Sequence, residues 1–540
     1  PASLLVDPSL GGARSSAERD DEALKEVEHM HSRGWLKKFS SKVKAKRYVK
    51  GRLVYSKLIV IAKDKKKVDR SGNVTVKKKR RLILNLKASG VTSASVKAEK
   101  PELPRVLDII FAGLELLRHR RSHQHWLRHL VLDFRSAFFQ FPARLDEQRF
   151  FATVLRRHVY IWNRAAQGSR GAPLVCGRAL ALAMRLCFGL LPDGVGSAGT
   201  YVDDPLSSFV GDEATQDDAI AKVVGGLLAM GFGLAFDRAQ DSINDATITW
   251  TSARITVLHD ELAIKIEIKE EILEDVRAMV VKLRGLSIVE LSDLRTLAGQ
   301  ATCIATLLHV WRPFVAMIWA PLYETRSRTP FDPTKVWHKA VKVPLDWLHA
   351  FLLGVSGTLV RKYTLASYVG DGDDVEIVVD ASPSAVGGYI REGEDITEYF
   401  EDALTDYDQE LLGAAAGGSE GQQIWEALAV LVALRLWAPK WASRRIRLSV
   451  TSDNVSALIM IVKMRASGQG TSLIARELAL DIADALYEPL VVSHVPGIAN
   501  ILADWLSRRR ARGDSRLPAA LRHARSRTLP HRGRAWWRTL

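Results

Sequence analysis

The chain has 540 residues and carries 77 lysines and arginines against 61 aspartates and glutamates, for a net charge of +16. This length provides for three or four folded units, and the positive balance favours a polyanionic partner such as nucleic acid. No apolar run reaches eighteen residues without a charge and no signal-peptide pattern is present, so we expect a soluble, intracellular protein without a membrane partner. Three scattered cysteines exclude a disulfide framework and a zinc site.

A cationic hairpin is the first strongly patterned element. The basic run Lys77–Arg81 leads into the strand-like Leu82–Leu86, which Lys87 follows, and the preceding Asp69–Asn73 has the composition of a turn. Such a hairpin presents a basic arm to a phosphate-bearing ligand. The alternative is a solvated face that contacts phosphates without specificity.

Acidic side chains follow two strand-like segments further along the chain. Asp133 comes after the apolar Val131-Leu132, and the doublet Asp203-Asp204 lies between a glycine-containing turn and another strand-like segment. Taken alone, a pair of aspartates is usually a solvated turn or a helix cap. Three carboxylates at strand ends, however, are the oxygen ligands that paired Mg²⁺ ions require for in-line phosphoryl displacement.

Two further segments accompany this acidic set. Gln167–Pro173 is rich in glycine and precedes Leu174–Leu191, whose apolar composition predicts a buried helix. Gly233–Arg238 ends in an arginine, whose guanidinium does not lose its proton in proteins. Arg238 is therefore suited to stabilising negative charge and unsuited to acting as a general acid.

The middle of the chain predicts a helical region. Ile264–Leu286 carries an apolar stripe at helical spacing, and Leu291–Leu308 continues as a second helix. A proline-containing stretch at 323–345 and a glycine turn at 370–372 then mark the boundary of another domain.

Four acids near the C-terminus lie on separate predicted elements. Asp380 ends a β-rich run, Glu426 opens an apolar helix, Asp453 ends a strand, and Asp504 follows His494. Singly, each has a plain explanation. Glu426 would suit the positive end of a helix dipole, Asp453 would cap the next helix, and His494 would be an ordinary loop histidine.

The C-terminal residues 508–540 hold eleven arginines and a single acidic residue, Asp514. Together with the pair Trp536-Trp537, they predict a basic tail that binds single-stranded nucleic acid through phosphate contacts and stacking. The alternative is a disordered or out-of-frame tail without a binding role.

Three of these segments resemble, in the same order, the palm motifs of retroelement reverse transcriptases. Asp133 with Phe138 and Pro142 resembles the first motif, Gln167–Pro173 the second, and Tyr201–Asp204 the third. The four C-terminal acids resemble the centre of a ribonuclease H domain fused to such an enzyme. The resemblance covers nearly the whole chain, and the nuclease segment is most similar to elements of the tyrosine-recombinase class.

The resemblance implies a metal site for the polymerase reaction. Asp133 and Asp203 would hold two Mg²⁺ ions, with Asp204 in support, and Mn²⁺ is an alternative metal. Gly233–Arg238 resembles the fourth palm motif, where the family usually has a lysine that protonates the leaving pyrophosphate. Arg238 would stabilise its charge instead.

Substrate-binding residues also follow from the resemblance. Arg81 and Lys87 lie where a fingers hairpin would bind the nucleoside triphosphate. Phe138 would stack under the incoming sugar and exclude a 2′-hydroxyl, so that deoxynucleotides are selected; on its own, Phe138 is readily a core residue. Gln167 and Gly168 would lie against the nascent base pair, with glycine allowing a close backbone approach.

The second acidic set would form a two-metal ribonuclease H centre. The resemblance assigns Mg²⁺ binding to four acids, Asp380, Glu426, Asp453 and Asp504. His494 would assist water delivery or product release. The segment between the first two acids is long and acidic, which makes Glu410 a rival ligand.

These predictions combine into an α/β (α+β) protein: a right-hand polymerase with fingers, palm and helical thumb, followed by a ribonuclease H-like α/β domain. The predicted boundaries are an N-terminal extension or polyprotein linker at 1–47, fingers and palm at 48–262, thumb and connection at 263–345, a linker at 346–373, the nuclease at 374–507 and a basic tail at 508–540.

The predicted function is RNA- and DNA-directed DNA synthesis with degradation of the RNA in the resulting hybrid. The expected partners are RNA and DNA templates, RNA–DNA hybrid and deoxynucleoside triphosphates. An alternative, favoured by Arg238 and by Asn85 where the family often has aspartate, is a decayed or domesticated element that binds nucleic acid without turnover. An RNA-directed RNA polymerase is disfavoured by Phe138 and by the second acidic set.

Overall fold

Antiparallel hairpins dominate the first half of the chain, and a mixed sheet dominates the second. In this computed structural model the described residues are 17, 20–68, 74–96, 99, 102–245, 247–325, 327–441, 444–466, 468–484, 491–513 and 516–540. They divide into a first unit, residues 1–251, and a second unit, residues 252–540. The mixture of helices and sheets confirms the predicted α/β (α+β) class. The predicted turn at 69–73 lies outside the described residues.

The first unit contains seven helices and ten strands within its described residues. In chain order they are α1 (Asp21–Ser32), β1 (Leu36–Phe39), α2 (Lys42–Tyr48), β2 (Leu58–Val68), β3 (Val74–Leu84), α3 (Val91–Ala94), α4 (Val106–Arg118), β4 (Trp126–Val131), α5 (Leu145–Gln148), β5 (Ala152–Leu155), β6 (His158–Trp162), α6 (Ala172–Phe188), β7 (Gly196–Tyr201), β8 (Asp204–Gly211), α7 (Glu213–Ala229), β9 (Gln240–Asp241) and β10 (Thr247–Trp250). Short 3₁₀ turns at Ala137–Gln140 and Phe236–Arg238 complete it.

The sheet β1-β6-β5 and the ribbon β2-β3 build the predicted fingers region. Leu36, Leu58 and Leu84 are buried in one apolar cluster, and Trp35 stacks on Phe139 with ring centroids 4.6 Å apart. β1 pairs antiparallel with β6, so the described part of the predicted N-terminal extension belongs to the folded unit. Residues 20–47 are therefore folded and not a linker, while most of 1–19 lies outside the described residues and the alternative of an N-terminal extension stays a prediction.

A second sheet of the first unit, with strand order β7-β8-β4-β9, carries the candidate polymerase acids. β7 and β8 form a hairpin, and β4 pairs antiparallel with β8 and β9. Apolar residues of α6 and α7, among them Leu180 and Val223, pack with Phe209 of β8. The helix predicted at 174–191 is confirmed with earlier bounds, because Pro173 lies in its first turn and Gly189 ends it.

The elements of the second unit are, in chain order, β11 (Ala253–Leu258), β12 (Ala263–Ile268), α8 (Glu270–Arg284), β13 (Ile288–Glu290), α9 (Leu291–Leu307), α10 (Arg312–Tyr323), β14 (Arg328–Thr329), β15 (Asp332–Trp337), α11 (Lys342–Leu352), β16 (Val360–Thr364), α12 (Leu365–Tyr368), β17 (Asp373–Ala381), β18 (Ala385–Glu392), β19 (Asp395–Ala403), α13 (Asp406–Leu412), α14 (Gln422–Trp437), β20 (Ile446–Ser452), α15 (Val455–Lys463), α16 (Gln469–Ala483), β21 (Val491–His494), α17 (Ile501–Arg512) and β22 (Arg525–Ser526).

Two predictions for the middle of the chain need correction. The helix predicted from Ile264 begins only at Glu270, because 263–268 alternates buried and partly exposed residues as strand β12. The predicted linker 346–373 contains the end of α11 and strand β16, which pairs antiparallel with β12. The second predicted helix, α9, is confirmed.

The main sheet of the second unit has the strand order β21-β20-β17-β18-β19-β22. β17 is antiparallel to β18 and parallel to β20, and β20 is parallel to β21. Helix α14 packs against β17 and β18 and is buried on nearly all faces from Trp425 to Leu434, as expected of an apolar core helix. The carboxyl ends of β17 and β20 therefore meet at one edge of the sheet.

The described residues of the predicted basic tail are 508–513, of which 508–512 end helix α17, and 516–540, which are folded as part of the second unit. Strand β22 pairs with β19, and Leu521 and Trp537 are buried. Arg532 is also buried and forms an ion pair with Asp408 at 2.9 Å. A disordered tail is thus the wrong expectation for these residues, and Trp537 is not exposed for stacking on nucleic acid. No helix among the described residues has the length and apolarity needed to cross a membrane.

Candidate active sites

The turn between β7 and β8 presents Asp203 at the tip of a tight hairpin. Tyr201 pairs with Asp204, so that Val202 and Asp203 form a two-residue turn, and Val202 adopts a φ of +59°. The indole Nε1 of the buried Trp250 donates a hydrogen bond of 2.9 Å to the Asp204 carbonyl, and its ring meets that of Tyr201 edge-on. This position at a hairpin tip is the one that the sequence predicted.

Asp133 is the second residue after the end of β4, which pairs with β8 of that hairpin. Its carbonyl accepts a hydrogen bond of 2.8 Å from the backbone of Ala235, and its Oδ2 accepts one of 2.8 Å from the guanidinium of Arg238. The segment predicted as a fourth motif therefore does lie at the acidic set. Its arginine contacts a predicted metal ligand directly.

The carboxyl of Asp203 is in an environment that disfavours its charge. Burial raises its pKa above the usual range, and the nearby charge of Asp133 acts in the same direction, whereas the charge of Arg81 lowers it. Asp133 and Asp203 are thus electrostatically coupled, and Arg81 of β3 lies close enough to stabilise the charged form of Asp203. Among the described residues, Asp133, Asp203 and Asp204 do not form a group of acids with ligand atoms all within 4.8 Å.

The other predicted substrate residues surround this site in different ways. Phe138 is half-buried and packs against the apolar cluster under β8, which agrees with its plain interpretation as a core residue. The backbone of Gln167 accepts a hydrogen bond of 3.0 Å from Leu84 at the end of β3. Lys87 is exposed in the turn after β3, where the side chain of Asn85 accepts from the backbone of Ala88 at 3.2 Å.

Gly168 has a φ of +105°, a conformation that side chains rarely adopt. A Cβ at this position would lie 2.4 Å from the carbonyl oxygen of Leu84. The close approach observed here is to the end of strand β3, and the predicted approach of Gly168 to a nascent base pair stays a prediction.

Three acids of the second unit converge at the sheet edge. Asp380 ends β17, Asp453 follows β20, and Glu426 lies in the second turn of α14; their ligand atoms are all within 4.8 Å of one another. Glu426 Oε1 accepts a hydrogen bond of 2.8 Å from Gln422, whereas its buried Oε2 has no hydrogen-bond partner among the described residues. The helix after Asp453 is capped by Asn454 and not by Asp453.

Burial and mutual repulsion perturb this cluster strongly. Burial, followed by the charges of Asp380 and Asp453, raises the pKa of Glu426 to about 9. Burial also raises the pKa of Asp380 to about 7, with further contributions from Asp453 and Asp504. Carboxyls that are costly to ionise alone become favourable ligands once a cation is near. The donor set of carboxylate oxygens, with one oxygen left unpaired, fits a hard divalent ion.

Helix α17 brings Asp504 to the same edge and adds contacts that the sequence did not reveal. Ser507 Oγ donates a hydrogen bond of 2.5 Å to Asp380 Oδ2, and the guanidinium of Arg508 pairs with Asp504. The helix sits close to β18 because Gly387 has no side chain; a Cβ there would lie 2.5 Å from the backbone nitrogen of Ser507.

The structure supports a position near the acidic cluster for His494 but not for Glu410. His494 ends β21, is exposed, and its Nε2 lies 3.2 Å from the Asp453 carbonyl, so the structure places it at the edge of the cluster. Glu410 is exposed on α13 and does not belong to the acidic group found among the described residues.

Ser507, Gln422 and Trp250 are site residues that the sequence analysis missed. None of the three belongs to a motif, and the bonds of Ser507 to Asp380 and of Trp250 to Asp204 join segments far apart in sequence. Only Gln422, one helical turn before Glu426, had a usable signal, because residues four apart share a helix face.

Of three comparisons with known proteins, the one with solved structures gives matches. No protein-family model and no curated protein matches the chain. Among solved structures, the foamy viral protease-reverse transcriptase dRH in complex with double-stranded DNA has 14% identity and a TM-score of 0.46, over 92% of this chain and 73% of that chain. The foamy viral protease-reverse transcriptase in complex with an RNA/DNA hybrid has 12% identity and a TM-score of 0.42, over 90% and 55%. At these values the likeness carries no conclusion about function.

Proposed function

We propose that this chain is a reverse transcriptase of a retroelement, with DNA polymerase activity in the first unit and hybrid-specific ribonuclease activity in the second. The observation that carries the proposal is the convergence of Asp380, Glu426 and Asp453 within 4.8 Å, with a buried Glu426 oxygen left without a partner. In the first unit, Asp203 at the hairpin tip is electrostatically coupled to Asp133, and these two acids form the other candidate site.

In the nuclease site, Asp380, Glu426, Asp453 and Asp504 would hold two Mg²⁺ or Mn²⁺ ions. Such ions supply a nucleophilic water and neutralise charge at the leaving oxygen. Ser507 would orient the Asp380 carboxylate and Gln422 that of Glu426, whose Oε2 has no hydrogen-bond partner among the described residues. His494, whose exposed ring lies 3.2 Å from the Asp453 carbonyl, would assist water delivery or product release.

In the polymerase site, Asp133 and Asp203 would be the main ligands, with Asp204 beside them. Trp250 and the β7–β8 pairing hold the tip of the hairpin. Arg81 supplies positive charge toward Asp203, where the triphosphate of an incoming deoxynucleotide would approach. Phe138 would support the sugar from below as a packed residue.

Primer extension and hybrid cleavage test this assignment in one preparation. The substrates are poly(rA) primed with oligo(dT) plus dTTP and Mg²⁺, and a labelled RNA/DNA hybrid. Asp203→Asn should abolish extension and spare cleavage, whereas Glu426→Gln should do the reverse. Glu410→Gln is the matched control, an exposed acid outside the cluster, and should retain both activities. Loss of both activities in each site variant would contradict the division into two sites.

A second function is favoured by the ion pair between Arg238 and Asp133. A chain that binds nucleic acid without synthesising DNA needs no metal at Asp133. Such a chain would tolerate the guanidinium of Arg238 paired with that carboxylate. This candidate predicts tight binding of primed template but no extension by the wild-type chain at any Mg²⁺ concentration.

A further inference from the structure

Arg238 is held over Asp133 by the backbone on both of its sides. Before it, the chain runs antiparallel to the end of β4: Ala235 donates to the Asp133 carbonyl at 2.8 Å, and Arg135 donates to the Gly233 carbonyl at 2.9 Å. After it, β9 pairs with β4 at Gln240. The backbone from which the Arg238 side chain projects is therefore fixed by strand register beside Asp133.

Gln140 strengthens this arrangement from the neighbouring 3₁₀ turn. Its Nε2 donates to the carbonyls of Arg135 and Gly233 at 2.8 and 3.0 Å, and its Oε1 accepts from the Gly233 backbone at 3.0 Å. One amide thus joins the two segments that carry Asp133 and Arg238. The backbone segments on which the two side chains lie are therefore tied directly to each other.

The resulting ion pair occupies a carboxylate that the proposed function needs for metal. Arg238 Nη1 lies 2.8 Å from Asp133 Oδ2, with the side chains 51% and 31% exposed. Asp133, and more weakly Asp237, hold the pKa of Arg238 above its usual range, so the guanidinium keeps its charge. A fixed positive charge at this distance repels a divalent cation and uses one of the few oxygens available to it.

We propose that Arg238 competes with divalent metal for Asp133, so that metal enters the first acidic set only by displacing the guanidinium. This inference rests on the proposed function, because it takes Asp133 as a metal ligand. Once displaced, the guanidinium remains tethered next to the site, where it can meet the charge of a departing pyrophosphate. Arg238 is in this view a positioning and charge-balancing residue for the metal site.

Direct metal binding tests the competition without depending on turnover. Mn²⁺ binding is followed by electron paramagnetic resonance on full-length Asp453→Asn protein, in which the second site is weakened. Adding Arg238→Gln should tighten binding at the first site about three- to fivefold, the order expected for removal of a half-exposed ion pair. Adding Arg238→Lys should change it less, because the charge stays.

Arg178→Gln is the matched control in the same unit. Arg178 forms an exposed ion pair of 2.8 Å with Glu99, which is not one of the predicted metal ligands, and its loss should leave Mn²⁺ binding unchanged. Structural loosening at Arg238 would weaken binding, which is the opposite of the predicted change. Unchanged or weaker binding in Arg238→Gln overturns the inference, as does the absence of any first-site binding.

Primer extension as a function of Mg²⁺ separates this inference from the proposed function. Arg238→Gln should lower the Mg²⁺ concentration for half-maximal extension and also lower the maximal rate. If the wild type does not extend primers while Mn²⁺ binding tightens as predicted, the competition stands and the polymerase proposal fails. If extension occurs with the same Mg²⁺ dependence in both chains, the polymerase proposal stands and the competition fails.

Discussion

Arg532, eight residues from the C-terminus, is buried against Asp408 of helix α13, with the guanidinium 2.9 Å from a carboxylate that has no exposed surface. Arg532 also pairs with Asp402 at 2.7 Å and donates to the carbonyl of Ala403 at 2.9 Å. Nearby, Glu477 is buried and accepts backbone hydrogen bonds from Arg538 and Thr539. The second unit therefore contains buried acids whose partners are supplied by the last residues of the chain.

Replacing Arg532 with methionine should destabilise the second unit strongly. Removing one partner of a buried ion pair leaves the other charge unpaired, at a cost of about 3–5 kcal/mol. We expect the thermal transition of this unit to fall and hybrid cleavage to be lost at lower temperature than in the wild type. Scanning calorimetry with parallel cleavage assays measures both effects.

The exposed Arg522 in the same segment provides the control, since Arg522→Met should leave the transition within about 0.5 kcal/mol. The pair Arg532→Met with Asp408→Leu should recover part of the loss, because the buried carboxylate of Asp408 is then no longer left without its partner, and only the partly exposed Asp402 loses one. Equal effects of Arg532→Met and Arg522→Met would contradict a buried role for Arg532.

The resemblance to a ribonuclease H centre implied that the four C-terminal acids converge, whereas the strand pattern alone predicted only the place of each acid on its own element. Asp380 and Asp453 each end a β-rich run, and parallel pairing of β17 with β20 brings those ends to one sheet edge. The hairpin tip at Asp203 was predictable for the same reason. Short-range periodicity and turn composition are sufficient information for such positions.

The packing of the C-terminal segment into the second unit could not be predicted from its composition. A short stretch with eleven arginines is by composition expected to be exposed to solvent. The acids that contact this segment, such as Asp408 and Glu477, lie in helices far earlier in the chain. The bond from Ser507 to Asp380 depends in the same way on how closely α17 packs on the sheet. Local pattern does not specify which helix face meets which strand.

Trp250 should matter for DNA synthesis although it lies outside every recognised motif. Trp250→Phe removes the hydrogen bond of 2.9 Å to the Asp204 carbonyl and keeps an aromatic ring against Tyr201. Because one such bond contributes about 1 kcal/mol, we expect extension to fall roughly fivefold, while hybrid cleavage is unchanged. The measurement is kcat for dTTP incorporation beside the cleavage rate.

The control for Trp250 is Trp319→Phe, which removes an indole hydrogen bond of 2.9 Å to Thr302 in the second unit. It should leave extension unchanged. A comparable loss of extension in both variants would mean that the effect is a general consequence of losing an indole and not of loosening the hairpin.

Gly168→Ala should disrupt the contact between the glycine-rich segment and strand β3. The added methyl group would meet the Leu84 carbonyl at 2.4 Å, and the φ of +105° disfavours any side chain, so either β3 or the segment has to shift. We expect extension to fall at least tenfold with cleavage preserved. Gly171→Ala, where a Cβ meets nothing within 4 Å, should retain extension; an equal loss in both variants would exclude this explanation.

Glu426 and Asp380 give the second unit a pH dependence that divalent metal should offset. Their pKa values are raised to about 9 and about 7, whereas in the unfolded chain both carboxyls ionise near pH 4. The unfolded state therefore loses these protons first, so the stability is full below about pH 4 and is lost as the pH rises through 7 and 9. In EDTA, the melting temperature of the second unit should fall by several degrees between pH 6 and pH 9.

Mg²⁺ binds the ionised carboxyls, so the stabilisation by metal should be larger at pH 9 than at pH 6. Glu426→Gln removes the group that titrates last, and its melting temperature in EDTA should stay nearly level above pH 7.5. The exposed Glu410→Gln should keep the wild-type slope. If Glu426→Gln and the wild type show the same slope, the buried cluster does not control the stability of this unit, because the carboxyl with the most raised pKa would then contribute nothing.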